Sequence, residues 1–209
     1  MTSRHHKGMV DFAKQRIALR YWLLGRDYTR ACLAMDVAES YHSGTRRGGA
    51  PEFSHQVAIA SALRTQVSVL RHPEDTIIAA LCHDVREDYD VSDEEVRLLG
   101  GDRVADAVAA MTKEFRSVRR PESEVFDAIA HDPIASVVKG FDRIHNHSTM
   151  VGVFSPEKMA EYVEETHRLF RPMLRAARHR FPDQEPVYEL LGLMLDNQLS
   201  LLEEILHPH

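Results

Sequence analysis

Cysteine, tryptophan and long apolar runs are scarce in this chain, and each scarcity closes off a class of protein. Two cysteines, Cys32 and Cys82, cannot build a disulfide scaffold. Cys82 sits inside an apolar run, so both read as reduced thiols of a soluble, cytoplasmic protein. No stretch approaches the roughly 18 uninterrupted apolar residues of a membrane-crossing helix. The N-terminal MTSRHHKGMVDF lacks the apolar centre of a signal peptide. Excess positive charge is missing too: a formal charge of −6 argues against wholesale wrapping of nucleic acid. Alternating strand patterns, internal repeats, low-complexity tracts and domain-separating linkers are likewise absent. What remains is a single all-α domain of 209 residues, long enough to bury a proper core.

What is present is helical periodicity. DFAKQRIALRYWLL spaces Phe12, Ile17, Leu19, Tyr21 and Leu24 among basic residues, with Gly25 as its cap. YTRACLAMDVAESYH is a second helix, and glycine and proline then make SGTRRGGAPEF a loop. Further helices are expected over about 55–70, from about Glu74 into HDVRED, and from a capping box at Ser92 and Glu95 to Gly100-Gly101. Others cover about 103–115, 122–131, 133–147 and 185–206, with SVRRPESE as a polar connection. Ser155-Pro156 opens one more, which reaches Phe181 with a bend at Pro172. This makes a bundle of roughly ten helices, divided as an N-terminal helical extension (1–26) and a main body (27–209).

One stretch breaks the pattern. AALCHDVREDYD, residues 79–90, ends an apolar run with His83-Asp84 and then Glu87-Asp88. Burying such groups unpaired costs several kcal/mol each. On a continuous helix residues four apart share a face, which stacks His83 on Glu87 and Asp84 on Asp88. A bound cation is the readiest compensation. Two further polar insertions offer the missing ligands: His55, at a helix start after the glycine-rich loop, and Asp142, in VVKGFDRIHNHSTM. Two imidazoles and two carboxylates without a thiolate suit Mn²⁺, Fe²⁺ or Zn²⁺ and leave positions for water and substrate. The competing reading makes His83 and Asp84 a buried hydrogen-bonded pair and His55 merely a helix-start residue.

HDVRED resembles the HDxxED motif of the hydrolase domain of the RelA/SpoT homologues. YHSGTRRGGAPEFSHQVAIA is similar to that family's stretch with a basic pair, a turn and a histidine, and VVKGFDRIHNHSTM to its third signature. The resemblance covers about Asp27 to Thr149. It implies an HD-domain helical bundle that removes pyrophosphate from the 3′ position of ppGpp and pppGpp. It further implies Mn²⁺ held by His55, His83, Asp84 and Asp142, with Glu87 and Asp88 orienting and activating the attacking water. Arg46 and Arg47 match the pair contacting base and phosphates; Lys139, Arg143 and Asn146 match residues around ribose and phosphate. The partner implied is a small nucleotide, (p)ppGpp or its adenine analogue, with neither membrane nor nucleic acid. Two departures stand out. Arg47-Gly48-Gly49 replaces the family's charged pair, which bears on base selectivity, and Ser148 replaces an arginine. No synthetase segment is visible, so a stand-alone small alarmone hydrolase is expected. Two other readings stay open. Other HD-domain phosphohydrolases, acting on deoxynucleotides or cyclic dinucleotides, share the four ligands. A nucleotide-binding regulator or antitoxin-like protein would use the stripe Arg168, Arg171, Arg175 and Arg178.

Overall fold

The computed structural model describes residues 2–207, with side chains from Asp11 onward. Met1 and the last two residues, which belong to the expected 1–26 and 27–209 divisions, lie outside the described residues. Twelve α-helices occur among the described residues: α1 (Thr2–Gly25), α2 (Thr29–Tyr41), α3 (Ser54–Leu63), α4 (Pro73–Cys82), α5 (Val85–Tyr89), α6 (Asp93–Gly100), α7 (Asp102–Met111), α8 (Glu122–Ala130), α9 (Ala135–Met150), α10 (Pro156–Glu165), α11 (Arg171–Arg180) and α12 (Glu185–Leu206).

Several helix starts follow from local chemistry. Ser92 accepts the Glu95 N–H while the Glu95 carboxylate accepts the Ser92 N–H, a complete capping box at α6. Ser155 caps α10, with Pro156 in its first turn. The Asp132 carboxylate accepts the backbone N–H groups of Ile134 and Ala135 at 2.8 and 2.7 Å, which launches α9.

Five expectations are corrected. α1 does not use Gly25 as its left-handed cap. That conformation falls on Asp27 (φ 59°), while the N–H groups of Asp27 and Tyr28 close back onto Leu24 and Leu23. α3 stops at Leu63 rather than near 70, where the Arg64, Thr65 and Gln66 N–H groups turn back onto the last carbonyls. The apolar run into HDVRED is two helices, α4 and α5, parted at His83-Asp84. α7 ends at Met111, and the connection after it holds a small hairpin, β1 (Glu114–Phe115) paired antiparallel with β2 (Val118–Arg119). Arg116 and Ser117, both at positive φ, make its two-residue turn. Two-residue strands are too short to register as alternation. The single helix expected from Ser155-Pro156 to Phe181 is α10 and α11 joined by a π turn, Thr166–Phe170, with the Arg171 N–H donating to the Thr166 carbonyl. This wider turn sits where Pro172 has no N–H to give.

α9 lies at the centre, packed on α3, α4, α7, α8, α11 and α12. Gly140 permits the close approach: a Cβ there would stand 2.7 Å from a Leu191 methyl. One main core collects α1 through α9, α11 and the first half of α12. A smaller cluster of Met150, Met159, Val163, Leu199 and Leu202 closes the end of α9. Leu19 and Leu23 of α1 are fully buried in the main core, so the second half of that helix packs with the body. Buried Asp75, held by Arg30 at 2.7 Å and Arg103 at 2.7 Å, ties α4 to α2 and α7. No helix among the described residues is long and apolar enough to cross a membrane.

Candidate active site

The break between α4 and α5 builds the site. Where the helical ladder stops, the Ala80 carbonyl accepts a hydrogen bond from His83 Nδ1 at 2.9 Å, which turns His83 Nε2 inward. Asp84, the next residue, brings its Oδ2 to 2.9 Å from that nitrogen. The pair is close but not aligned as a hydrogen bond, so His83 Nε2 is a buried polar atom without a partner. From the first turn of α3, His55 Nε2 reaches 3.9 Å from Asp84 Oδ2 and 3.1 Å from Asp142 Oδ1. His55 and His83 are 3% and 2% exposed. Ligand atoms of His55, His83 and Asp84 lie within 4.8 Å of one another, close enough to share one ion. Asp142 stands beside them on α9, its two oxygens held by Lys139 Nζ at 2.9 Å and Asn146 Nδ2 at 2.7 Å.

The donor set fits a divalent cation. A ligand at His83 Nε2 would satisfy the orphaned nitrogen, and the nitrogen-oxygen composition suits borderline and hard ions alike. Electrostatics agree. Burial alone would raise the Asp84 and Asp142 carboxyls. His83 beside Asp84, and Lys139 with the imidazoles beside Asp142, outweigh it and keep both ionised. Burial lowers the His83 imidazole, but Asp84 and Asp142 together outweigh it, for a net rise to about 9.

Two cavities open on this centre. One of about 490 Å³ is lined by Arg46, Arg47, Asp84, Asp88, His145, Asn146 and, on its apolar side, Val153 and Phe154. The other, about 450 Å³, meets Lys139, Asp142, Arg143 and Asn146 beside Lys113, Lys158 and Tyr162. Asn146 belongs to both walls, and Arg46 reaches its Oδ1 at 3.4 Å. Arg47 lies over the Phe154 ring, 5.7 Å from its centroid.

Not every expected residue converges. Asp88 faces the first cavity, and burial together with Asp84, Glu87 and Glu52 raises its carboxyl to about 6. Glu87 points elsewhere: its carboxylate accepts the backbone N–H groups of Lys113 and Glu114, and it lines a third cavity against the hairpin. The expected stacking of His83 on Glu87 therefore does not describe the site. Arg143 lines the second cavity but is also paired with Glu165 and centred 3.9 Å over the Phe170 ring. Ser148, the other departure, bonds the Ile144 carbonyl and receives Gln198 of α12. The arginine stripe is largely neutralised, with Arg168 on Glu122, Arg171 on Asp196, and Arg178 on Glu185 and Glu189. His145 escaped the sequence reading. Its Nδ1 stands 2.8 Å from His55 Nδ1, and burial with neighbouring charge lowers it to about 3. Its position three residues after Asp142 on one helix was the available signal.

Comparison with known proteins follows the same residues. The HD domain family profile matches residues 34–179. A Synechocystis protein named "Probable guanosine-3′,5′-bis(diphosphate) 3′-pyrophosphohydrolase" is 36% identical over 163 residues, 71% of this chain and 21% of its own. A Mycobacterium leprae protein named "Probable GTP pyrophosphokinase" is 35% identical over 182 residues, 84% of this chain and 21% of its own. The Escherichia coli "Bifunctional (p)ppGpp synthase/hydrolase SpoT" is 32% identical over 146 residues, 66% of this chain and 20% of its own. The chain thus spans about a fifth of the length of these curated relatives. With the profile covering most of the chain, this protein belongs to the HD-domain family.

Proposed function

We propose that this protein is a divalent-metal-dependent (p)ppGpp 3′-pyrophosphohydrolase, converting water and (p)ppGpp to pyrophosphate and GDP or GTP. The observation that carries the reading is the meeting of His55 Nε2, His83 Nε2 and Asp84 at one buried point under two polar cavities. The relatives named for this chemistry support it. His55, His83, Asp84 and Asp142 hold the ion, which we take to be Mn²⁺, with Zn²⁺ and Fe²⁺ as competitors. When bound, such an ion supplies Lewis acidity to the phosphoryl oxygen and acidifies the attacking water.

The remaining chemistry belongs to the side chains. Water attacks the phosphorus bonded to the ribose 3′ oxygen, and the P–O3′ bond breaks. Asp88, with a carboxyl raised to about 6, takes the water proton and returns it to the leaving 3′ oxygen. Glu87 acts one step back, keeping the hairpin strand against α5 through the Lys113 N–H. Arg46 and Arg47 receive the base and phosphates along the first cavity, while Lys139 and Asn146 fix the Asp142 carboxylate and the phosphate beside it. Arg143 shapes this wall from behind. The nucleotide substrate and two buried free thiols favour a cytoplasmic location.

Product analysis tests the reading. Purified protein with Mn²⁺ should release pyrophosphate and GDP from ppGpp in equal amounts. Orthophosphate as the product, or turnover of deoxynucleotides or cyclic dinucleotides with ppGpp and ppApp untouched, would assign it to another branch of HD-domain phosphohydrolases.

A further inference from the structure

We propose that His145 is a positioning residue that sets the tautomer of His55 and carries a hydrogen-bond donor from the metal centre to the nucleotide cavity. The inference rests on the divalent-metal reading above but not on the identity of the substrate. The two Nδ1 atoms stand 2.8 Å apart, with rings 4.7 Å between centroids and inclined at 60°. Two lone pairs facing each other at that distance repel, as do two N–H groups, so one proton lies between them. A cation on His55 Nε2 requires the lone pair there, which puts the His55 proton on Nδ1 and makes His145 Nδ1 its acceptor. Neutral His145 then holds its own proton on Nε2.

That nitrogen is in a useful place. His145 is half-buried and lines the cavity with Arg46, Arg47, Asp84 and Asp88. Its Nε2 has no protein partner among the described residues, yet it is not among the atoms sealed from solvent. An N–H is therefore presented to the cavity, where a ribose hydroxyl or phosphate oxygen accepts it. Bonding there reinforces the His145 tautomer, which in turn reinforces the His55 lone pair toward the ion. Substrate and metal would thus favour each other through one imidazole pair rather than through a shared ligand.

Two measurements test this without turnover. The first is ¹H–¹⁵N NMR of the imidazoles in protein loaded with diamagnetic Zn²⁺. His55 should carry its proton on Nδ1 and His145 on Nε2; a proton on His145 Nδ1 overturns the proposal, and failure of the native protein to take up Zn²⁺ overturns the metal centre itself. The second is Zn²⁺ affinity by chelator competition. His145→Asn keeps an acceptor toward His55 and a donor toward the cavity, and should stay within about threefold of the native protein. His145→Leu should weaken binding by about 10–100-fold, the range typical of lost outer-shell partners. Equal affinities for native and Leu proteins would overturn it, and if the Leu variant does not fold the NMR result decides alone.

Discussion

A histidine cannot hold a proton and a cation on the same nitrogen, and His83 is where that competition is sharpest. Burial pushes its imidazole down, but Asp84 and Asp142 prevail and lift it to about 9. A group raised in this way is protonated at neutral pH, so metal entering at pH 7.5 must expel that proton. Titration calorimetry in buffers of different ionisation enthalpy should then report about one proton released per ion bound; a buffer-independent enthalpy would contradict it. Asp88 gives a second prediction. Asp88→Asn should lower kcat by about 10²–10⁴-fold, the usual contribution of a positioned general base, with metal affinity changed little. A kcat within threefold of native would remove Asp88 from proton transfer. The clustering of His55, His83 and Asp84 was legible in sequence because titratable residues that interrupt apolar helices demand a compensating charge. The bond from Glu87 to the Lys113 backbone was not, since it joins residues 26 apart through a hairpin that leaves no periodic trace.

Among elements, helix ends announced by side-chain caps were readable, and ends imposed by tertiary structure were not. Ser92, Asp132 and Ser155 carry their own hydrogen-bonding instructions. The break at His83-Asp84 carries none: both residues keep right-handed helical dihedrals, at φ −62°, ψ −29° and φ −101°, ψ −5°. Glycine gave a similar lesson. Gly25, the expected cap, lies in the last turn of α1 with nothing near its Cβ position, whereas Gly101 between α6 and α7 has φ 82° and ψ −179°, a region almost closed to other residues. Gly101→Ala should therefore destabilise the fold by about 1–3 kcal/mol. Gly25→Ala should be neutral or stabilise it by up to about 1 kcal/mol. Urea unfolding of both variants checks the pair, and equal losses would contradict the assignment of the left-handed position.

For the whole molecule, acid sensitivity follows from buried basic groups more than from surface charge. His147 is 2% exposed, with Nε2 on the Thr166 hydroxyl at 3.0 Å and Nδ1 bare. Burial and the nearby Arg143 lower it to about 4. The unfolded chain binds this proton near pH 6.5 and the folded one near 4, so the unfolded state holds more protons in between and stability falls across that window. At about 1.4 kcal/mol per pKa unit, the loss from this residue is about 3 kcal/mol. Below it, Glu165 adds to the effect. Burial would raise that carboxyl, but Arg143 and Lys113 hold it below its usual value, and its pairing is lost as protonation sets in. Urea unfolding from pH 7.5 to 4.5 should show a steep decline centred between 6.5 and 4, relieved in part by His147→Gln. A flat profile would mean that His147 is not sealed between α9 and the π turn.

One divalent ion shared by residues from three separate segments is the claim on which the remainder stands. Anomalous diffraction from crystals grown with Mn²⁺ tests it directly. A single peak is predicted within roughly 2.0–2.3 Å of His55 Nε2, His83 Nε2 and a carboxylate oxygen of each of Asp84 and Asp142. A peak elsewhere, or none at saturating Mn²⁺, would contradict the account.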